Sequence, residues 1–185
     1  GGNTSVENVM LSNYIRKIPD GAFKNCTSLR GITASEISSI GAEAFAGCTS
    51  LDTFKVSKTV TSIGERAFSG VDSIEVTAAN LDVVQAALNS GAKNIKVNFA
   101  SIADELEGAT LHVPQTVETV ELQGGQKSIK NLRIESEAQT TILNGITITD
   151  CTRIPLEISS DNVSLRQVVV SSSSYAMLLK KDVKL

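Results

Sequence analysis

The sequence predicts an α/β fold: a right-handed solenoid with one parallel sheet, continuing into β-helix-like coils in the C-terminal half. Three observations predict it. First, one phrase recurs in register as Ile18-Pro-Asp-Gly-Ala-Phe23, Ile40-Gly-Ala-Glu-Ala-Phe45 and Ile63-Gly-Glu-Arg-Ala-Phe68, with steps of 22 and 23 residues. A fixed period of this size marks a chain that stacks one supersecondary unit per coil. Second, short alternating segments such as Phe54-Lys-Val56 separate the copies, as half-buried strands should. Third, the coil length survives after the phrase is lost: Ile146 to Val168 and Leu156 to Leu178 are both 22 residues. The expected organisation is a single domain over 1–185, with a repeat part at 1–123 and a β-helix-like part at 124–185.

Each element follows from local chemistry. Residues 1–17 read as a partial first coil, because Met10 lies 22 before Ile32 and Ile15 lies 22 before Ile37. Within a full copy, Leu51–Val56 is a strand, and Thr59–Ile63 is a second extended piece rich in β-branched residues. Gly64-Glu-Arg-Ala-Phe68 is expected to turn as a short helical segment that aims its Phe into the coil. The strict register of Phe23, Phe45 and Phe68 assigns them to the core. Asn80 to Gly91 has a capping Asn, apolar residues at helical spacing and a terminal Gly, so a helix is expected near 80–90 in place of a turn. Asn94-Ile-Lys-Val97 is the next strand, and Leu111–Val120 repeats the apolar spacing of Phe54–Ile63. Beyond Gly124-Gly125 the expected strands centre on Leu132–Ile134, Ile146–Ile148, Leu156–Ile158, Val168–Val170 and Met177–Leu179.

Composition narrows function by exclusion. The 185 residues carry a net charge of −3, which disfavours nucleic-acid binding, since such a surface needs clustered Lys and Arg. No apolar run reaches the roughly 18 residues of a membrane span, and the first residues do not read as a signal peptide. Three cysteines and one histidine without a paired spacing fall short of a zinc site, and no cofactor is expected. Cys26 and Cys48 share the repeat position that Val71 fills next, so they read as buried apolar thiols, with a bridge between neighbouring coils as the alternative. Asp104, Glu105 and Glu107 lack calcium-loop spacing and read as a solvated face. Sugar stacking is poorly supplied: there is no Trp, and outside the core aromatics only Tyr14, Phe99 and Tyr175 remain.

The copies Ile18–Leu29, Ile40-Gly-Ala-Glu-Ala-Phe45-Ala-Gly-Cys48-Thr-Ser-Leu51 and Ile63–Ile74, with Val113-Pro-Gln-Thr-Val117 as a later echo, carry a resemblance. Residues 18–76 resemble the BspA-like leucine-rich-repeat family of bacterial surface proteins. The resemblance implies a leucine-rich-repeat solenoid, a secreted or cell-surface location and a role in adhesion or protein binding. It brings no catalytic residues.

Taking the residue between the apolar anchors of each strand gives an expected outward strip of Thr33, Lys55, Glu75, Lys96, His112, Arg133 and Glu157. Such residues stand about 5 Å apart from coil to coil, close enough to pair. The strip is either a solvated charge ladder or a recognition face. His112, Arg133 and Glu157 form its most reactive subset, an acid–base pair beside an anion holder. The expected function is non-enzymatic: a surface or secreted module that binds a protein partner through the sheet face. The alternatives are a β-helix-type protein that binds or cleaves polysaccharide, by analogy of fold alone, and a passive spacer.

Overall fold

The computed structural model describes residues 2, 4–99, 102, 109–125, 128–172 and 177–179. In order, β1 (Asn8–Met10), β2 (Lys17–Ile18), β3 (Gly31–Thr33), β4 (Ser39–Ile40), β5 (Phe54–Val56), β6 (Ser62–Ile63) and β7 (Ser73–Thr77) lead to the helix α1 (Leu81–Leu88). After it come β8 (Asn94–Asn98), β9 (Thr110–Val113), β10 (Thr119–Gln123), β11 (Ser128–Lys130), β12 (Arg133–Ser136) and β13 (Thr140–Asn144). The described chain closes with β14 (Thr147–Cys151), β15 (Leu156–Ile158), β16 (Asn162–Arg166), β17 (Val169–Ser172) and β18 (Met177–Leu179). Every strand pair is parallel, as a solenoid requires.

One sheet does run through both halves. It has six strands in the order β5-β7-β8-β10-β13-β16 and is called face A below. β1 and β3 form a separate pair, two coils and one coil before β5. A second side carries β2-β4-β6 early and β9-β12-β15-β18 late, with α1 packed against both β6 and β9. The third side is built from turns in the repeat part and from β11-β14-β17 in the later part. The β-helix-like half is therefore three-sided, with strands replacing the turns.

The turn side explains the repeated phrase. Its backbone bonds coil to coil at alternate residues: the N–H groups of Phe23 and Phe45 donate to Ala44 O and Ala67 O, both at 2.8 Å. That ladder needs left-handed backbone at fixed places, including Gly47 (φ 78°) and Gly70 (φ 85°), where the missing Cβ removes the penalty. The segment expected to be a short helix is thus a set of coil-stacked turns. A close approach explains the Gly after Ile63: a Cβ on Gly64 would lie 2.2 Å from Ala42 N.

The phenylalanines form the spine of the repeat core. Phe45 stacks on Phe23 at 5.3 Å and on Phe68 at 5.4 Å, with ring planes within 7°. Phe54 crosses from the sheet side and packs tilted against Phe45 and Phe68 at 4.9 and 5.1 Å. Cys26 and Cys48 are unbridged and buried, and Cys48 Sγ donates to Phe23 O at 3.0 Å. Removal from water pushes the Cys48 thiol up to about 11, so it is protonated at neutral pH.

α1 begins where expected, with Asn80 Oδ1 accepting from Val83 N at 3.0 Å, and its inner face buries Val83, Val84, Ala87 and Leu88. Its Gln85 has a further role. The side-chain amide donates to His112 O and accepts from His112 N, both at 2.8 Å, standing in for the missing neighbour strand at the edge of β9. Without it the helix would leave that strand edge unpaired.

Several expectations are corrected. Met10 is an outward, exposed residue, because β1 pairs Val9 with Ile32 and Met10 with Thr33. β18 pairs Met177 with Leu156 and Leu178 with Glu157, a step of one residue from the expected register. Phe99, held out as a surface aromatic, is fully buried, whereas Tyr14 is exposed. The acidic group Asp104, Glu105 and Glu107, and Tyr175, lie outside the described residues.

Candidate functional site

Face A positions the first part of the expected strip. β7, β8 and β10 alternate in burial over five residues each, so Glu75, Lys96 and Glu121 point outward between buried anchors. Backbone register aligns Lys55 with Glu75, Glu75 with Lys96, and Lys96 with Glu121. Thr33 stands one coil earlier by the repeat period, on β3. Lys55 Nζ lies 3.8 Å from Glu75 Oε2, and Lys96 Nζ lies 3.9 Å from Glu121 Oε2. These are long, exposed ion pairs, each worth under about 1 kcal/mol in water. Uncharged polar side chains flank the column, with Ser73, Asn94 and Thr119 on one side and Thr77, Asn98 and Gln123 on the other. A groove of about 180 Å³ runs between the first of these rows and the charged column.

His112, Arg133 and Glu157 are not on face A. They lie on β9, β12 and β15 of the second side, which corrects the expected single strip. The sheet continues from β8 to β10, with Ile95 opposite Val120, so the neighbour of Lys96 is Glu121 rather than His112. The reason is that β9 opens a new side of the coil before the chain returns to face A. Nor do the three share one column. Glu135 is the register partner of both His112 and Glu157, and Arg133 aligns with Thr110.

The second side nevertheless gathers these charges. Arg133 pairs with Glu157 through Nη2, and its Nε lies 2.8 Å from Glu135 Oε1, although the N–H does not line up on that oxygen. His112 Nδ1 is 3.7 Å from Glu135 Oε2. The guanidinium is neutralised by two carboxylates from its own sheet, which leaves it a poor holder for an incoming anion. The groups are a charge network that ties three adjacent coils together. Among the described residues no cluster of His, Cys, Asp and Glu is placed to hold a metal ion, and no helix is long and apolar enough to cross a membrane.

Glu121 and Glu135 went unread in the sequence. Glu121 sits between the buried apolar Val120 and Leu122, an alternation signal that could have found it, whereas the inward neighbour of Glu135 on one side is the polar Ser136, which hides the alternation. Gln85 offered no such signal, since nothing local tells that a helix side chain will meet a strand 27 residues on.

No curated protein and no solved structure matches the chain. The pattern of the BspA type leucine-rich repeat region matches residues 2–110, in six copies. The match covers more than half of the 185 residues and extends beyond the three clear phrases on both sides. The turn ladder, the stacked phenylalanines and the parallel sheet supply its physical basis. The chain belongs to the BspA-type leucine-rich-repeat family.

Proposed function

We propose that this protein is a non-catalytic interaction module, secreted or displayed on a bacterial cell surface, that presents face A to a protein partner. The repeat family and its parallel solenoid support an interaction role. The observation that carries the choice of face is the unbroken outward column of Lys55, Glu75, Lys96 and Glu121, held on four adjacent strands of the six-stranded sheet and backed beneath those strands by buried apolar side chains. A rigid backing fixes side-chain positions in the free protein, which lowers the ordering cost of binding. His112, Arg133 and Glu157 remain candidates on a different side, where the Arg133–Glu157 pair and the approach of His112 and Arg133 to Glu135 favour a structural role.

The test is a binding screen of the folded domain against extracellular matrix proteins and a glycan array. Face A is the binding face if Lys55→Glu with Lys96→Glu removes a protein hit while Arg133→Glu keeps it. Loss with Arg133→Glu alone would move the site to the second side. Turnover of a glycan, abolished by His112→Ala, would replace the reading with the enzymatic one.

A further inference from the structure

The charged column on face A has an even number of members and strictly alternating sign: Lys55, Glu75, Lys96, Glu121. Reversing its direction turns plus-minus-plus-minus into minus-plus-minus-plus. Two copies of the chain laid face to face with antiparallel solenoid axes therefore meet with every charge opposite its complement. Lys55 faces Glu121 of the second copy, and Glu75 faces Lys96. A parallel arrangement in register would set Lys on Lys and Glu on Glu. We infer that face A is a homotypic docking surface, on which a second copy of this chain binds about a two-fold axis lying between β7 and β8.

The rest of the face is compatible with that axis. The two-fold keeps each row of a sheet opposite the same row of its mate. The rows beside the charged column face each other with hydroxyl and carboxamide groups, among them Ser73, Asn94 and Thr119, so no like charges collide there. One coil further out, Thr33 stands opposite Ile142, so the ends of the column meet through a methyl-bearing side chain and an apolar one. The charges are available: the side chains of Lys55, Glu75, Lys96 and Glu121 are 79%, 45%, 43% and 28% exposed, and their pairs within the sheet are long. A strand spacing of about 4.8 Å and a rise of about 3.3 Å per residue make the six-stranded face and its β3 coil about 30 by 17 Å. That is smaller than the roughly 800 Å² per partner of a standard stable interface. The dimer is thus weak and salt-sensitive, suited to copies held at high local concentration, as on a surface.

This inference rests on the reading that face A is the binding face, and the experiment separates the two. Sedimentation equilibrium of the whole chain is measured at low salt up to about 1 mM, the weak end of specific association. Four samples are compared: wild type, Lys55→Glu, Glu121→Lys, and an equimolar mixture of the two variants. The wild type is expected to dimerise. Each single reversal puts like charges at both symmetric ends of the column and weakens the dimer tenfold or more. The mixture restores it, because Glu at 55 then meets Lys at 121 and the unaltered Glu121 meets the unaltered Lys55. Lys17→Glu, a reversal on β2 and off the face, is expected to leave dimerisation unchanged. A wild type that stays monomeric throughout overturns the homotypic inference but leaves face A open to a different protein, which the binding screen decides. A dimer untouched by either reversal also overturns the homotypic inference, since self-association then uses another surface, and the binding screen again decides whether face A takes a different protein. Single reversals that weaken the dimer without rescue on mixing overturn the antiparallel pairing.

Discussion

Truncating Phe45 to Ala removes the middle of the aromatic spine. The ring is fully buried and contacts three others, two stacked at 5.3 and 5.4 Å and one tilted at 4.9 Å. A buried Phe→Ala change costs about 3–5 kcal/mol, including the cavity left behind. Each aromatic pair adds about 0.5–1.5 kcal/mol beyond area burial, which places Phe45 at the upper end of that range. Phe23 is only partly buried and, among the described rings, stacks on Phe45 alone, so Phe23→Ala should cost clearly less, about 1–3 kcal/mol. The difference arises because a solenoid has no core beyond its neighbouring coils, and a residue's worth follows how many coils it touches. Urea unfolding followed by far-ultraviolet circular dichroism measures both, which suits a chain without tryptophan. A double-mutant cycle of Phe45 with Phe68 should show a coupling of about 0.5–1.5 kcal/mol. Equal losses for Phe23→Ala and Phe45→Ala, or a coupling near zero, would refute the spine as a stacked and directional element.

Three further outcomes follow from single contacts. Gln85→Ala removes both bonds to the His112 backbone and is expected to cost about 1–3 kcal/mol. Hydrogen exchange at the His112 amide should accelerate selectively, and unchanged protection there would contradict the strand-substitute role. Gly64→Ala forces a Cβ into the backbone of the coil beneath, so the melting temperature should fall sharply, whereas a Gly21→Ala control meets only the Lys24 Cβ at 3.8 Å and strains only its own backbone. The Cys48 thiol is raised from 9.0 to about 11 by burial, so the folded state holds its proton more tightly than the unfolded state. Its contribution to stability is complete below pH 9 and is lost as pH rises through about 11. Cys48→Val, which copies the residue at Val71, should flatten that alkaline loss in a series of melts against pH.

The repeat half was legible because its signals are local and tandem. Ile-Gly followed by Phe five residues after the Ile demands one conformation each time it occurs, and Asn80 announces its helix by a cap whose bond is seen. Side assignment was not legible. Leu111-His-Val113 and Val120-Glu-Leu122 share one apolar-polar-apolar pattern, and only closure of the coil decides which lies beside Ile95-Lys-Val97. The strand at Thr140–Asn144 was missed for a different reason: its inward position is Thr141, which breaks the apolar alternation. That hydroxyl is satisfied inside the core by Ser136 at 2.7 Å and Ser160 at 2.6 Å, a polar chain built from three separate strands and loops. Removal of one member, Thr141→Val, would strand the other two hydroxyls and cost about 1–3 kcal/mol. The candidate strip was legible as charge and as outward placement for Lys55, Glu75 and Lys96. Its continuation was not, since it depends on the same closure.

Cross-linking between adjacent strands tests that closure most directly. Directly opposed residues on neighbouring parallel strands lie about 4.8 Å apart, within the reach of a disulfide. In a background with Cys26, Cys48 and Cys151 replaced, Lys96→Cys with Glu121→Cys should oxidise to an intramolecular bridge, seen as a loss of two mass units and of both free thiols. Lys96→Cys with His112→Cys should not. Bridging of the second pair and not the first would contradict the continuous face on which the whole account depends.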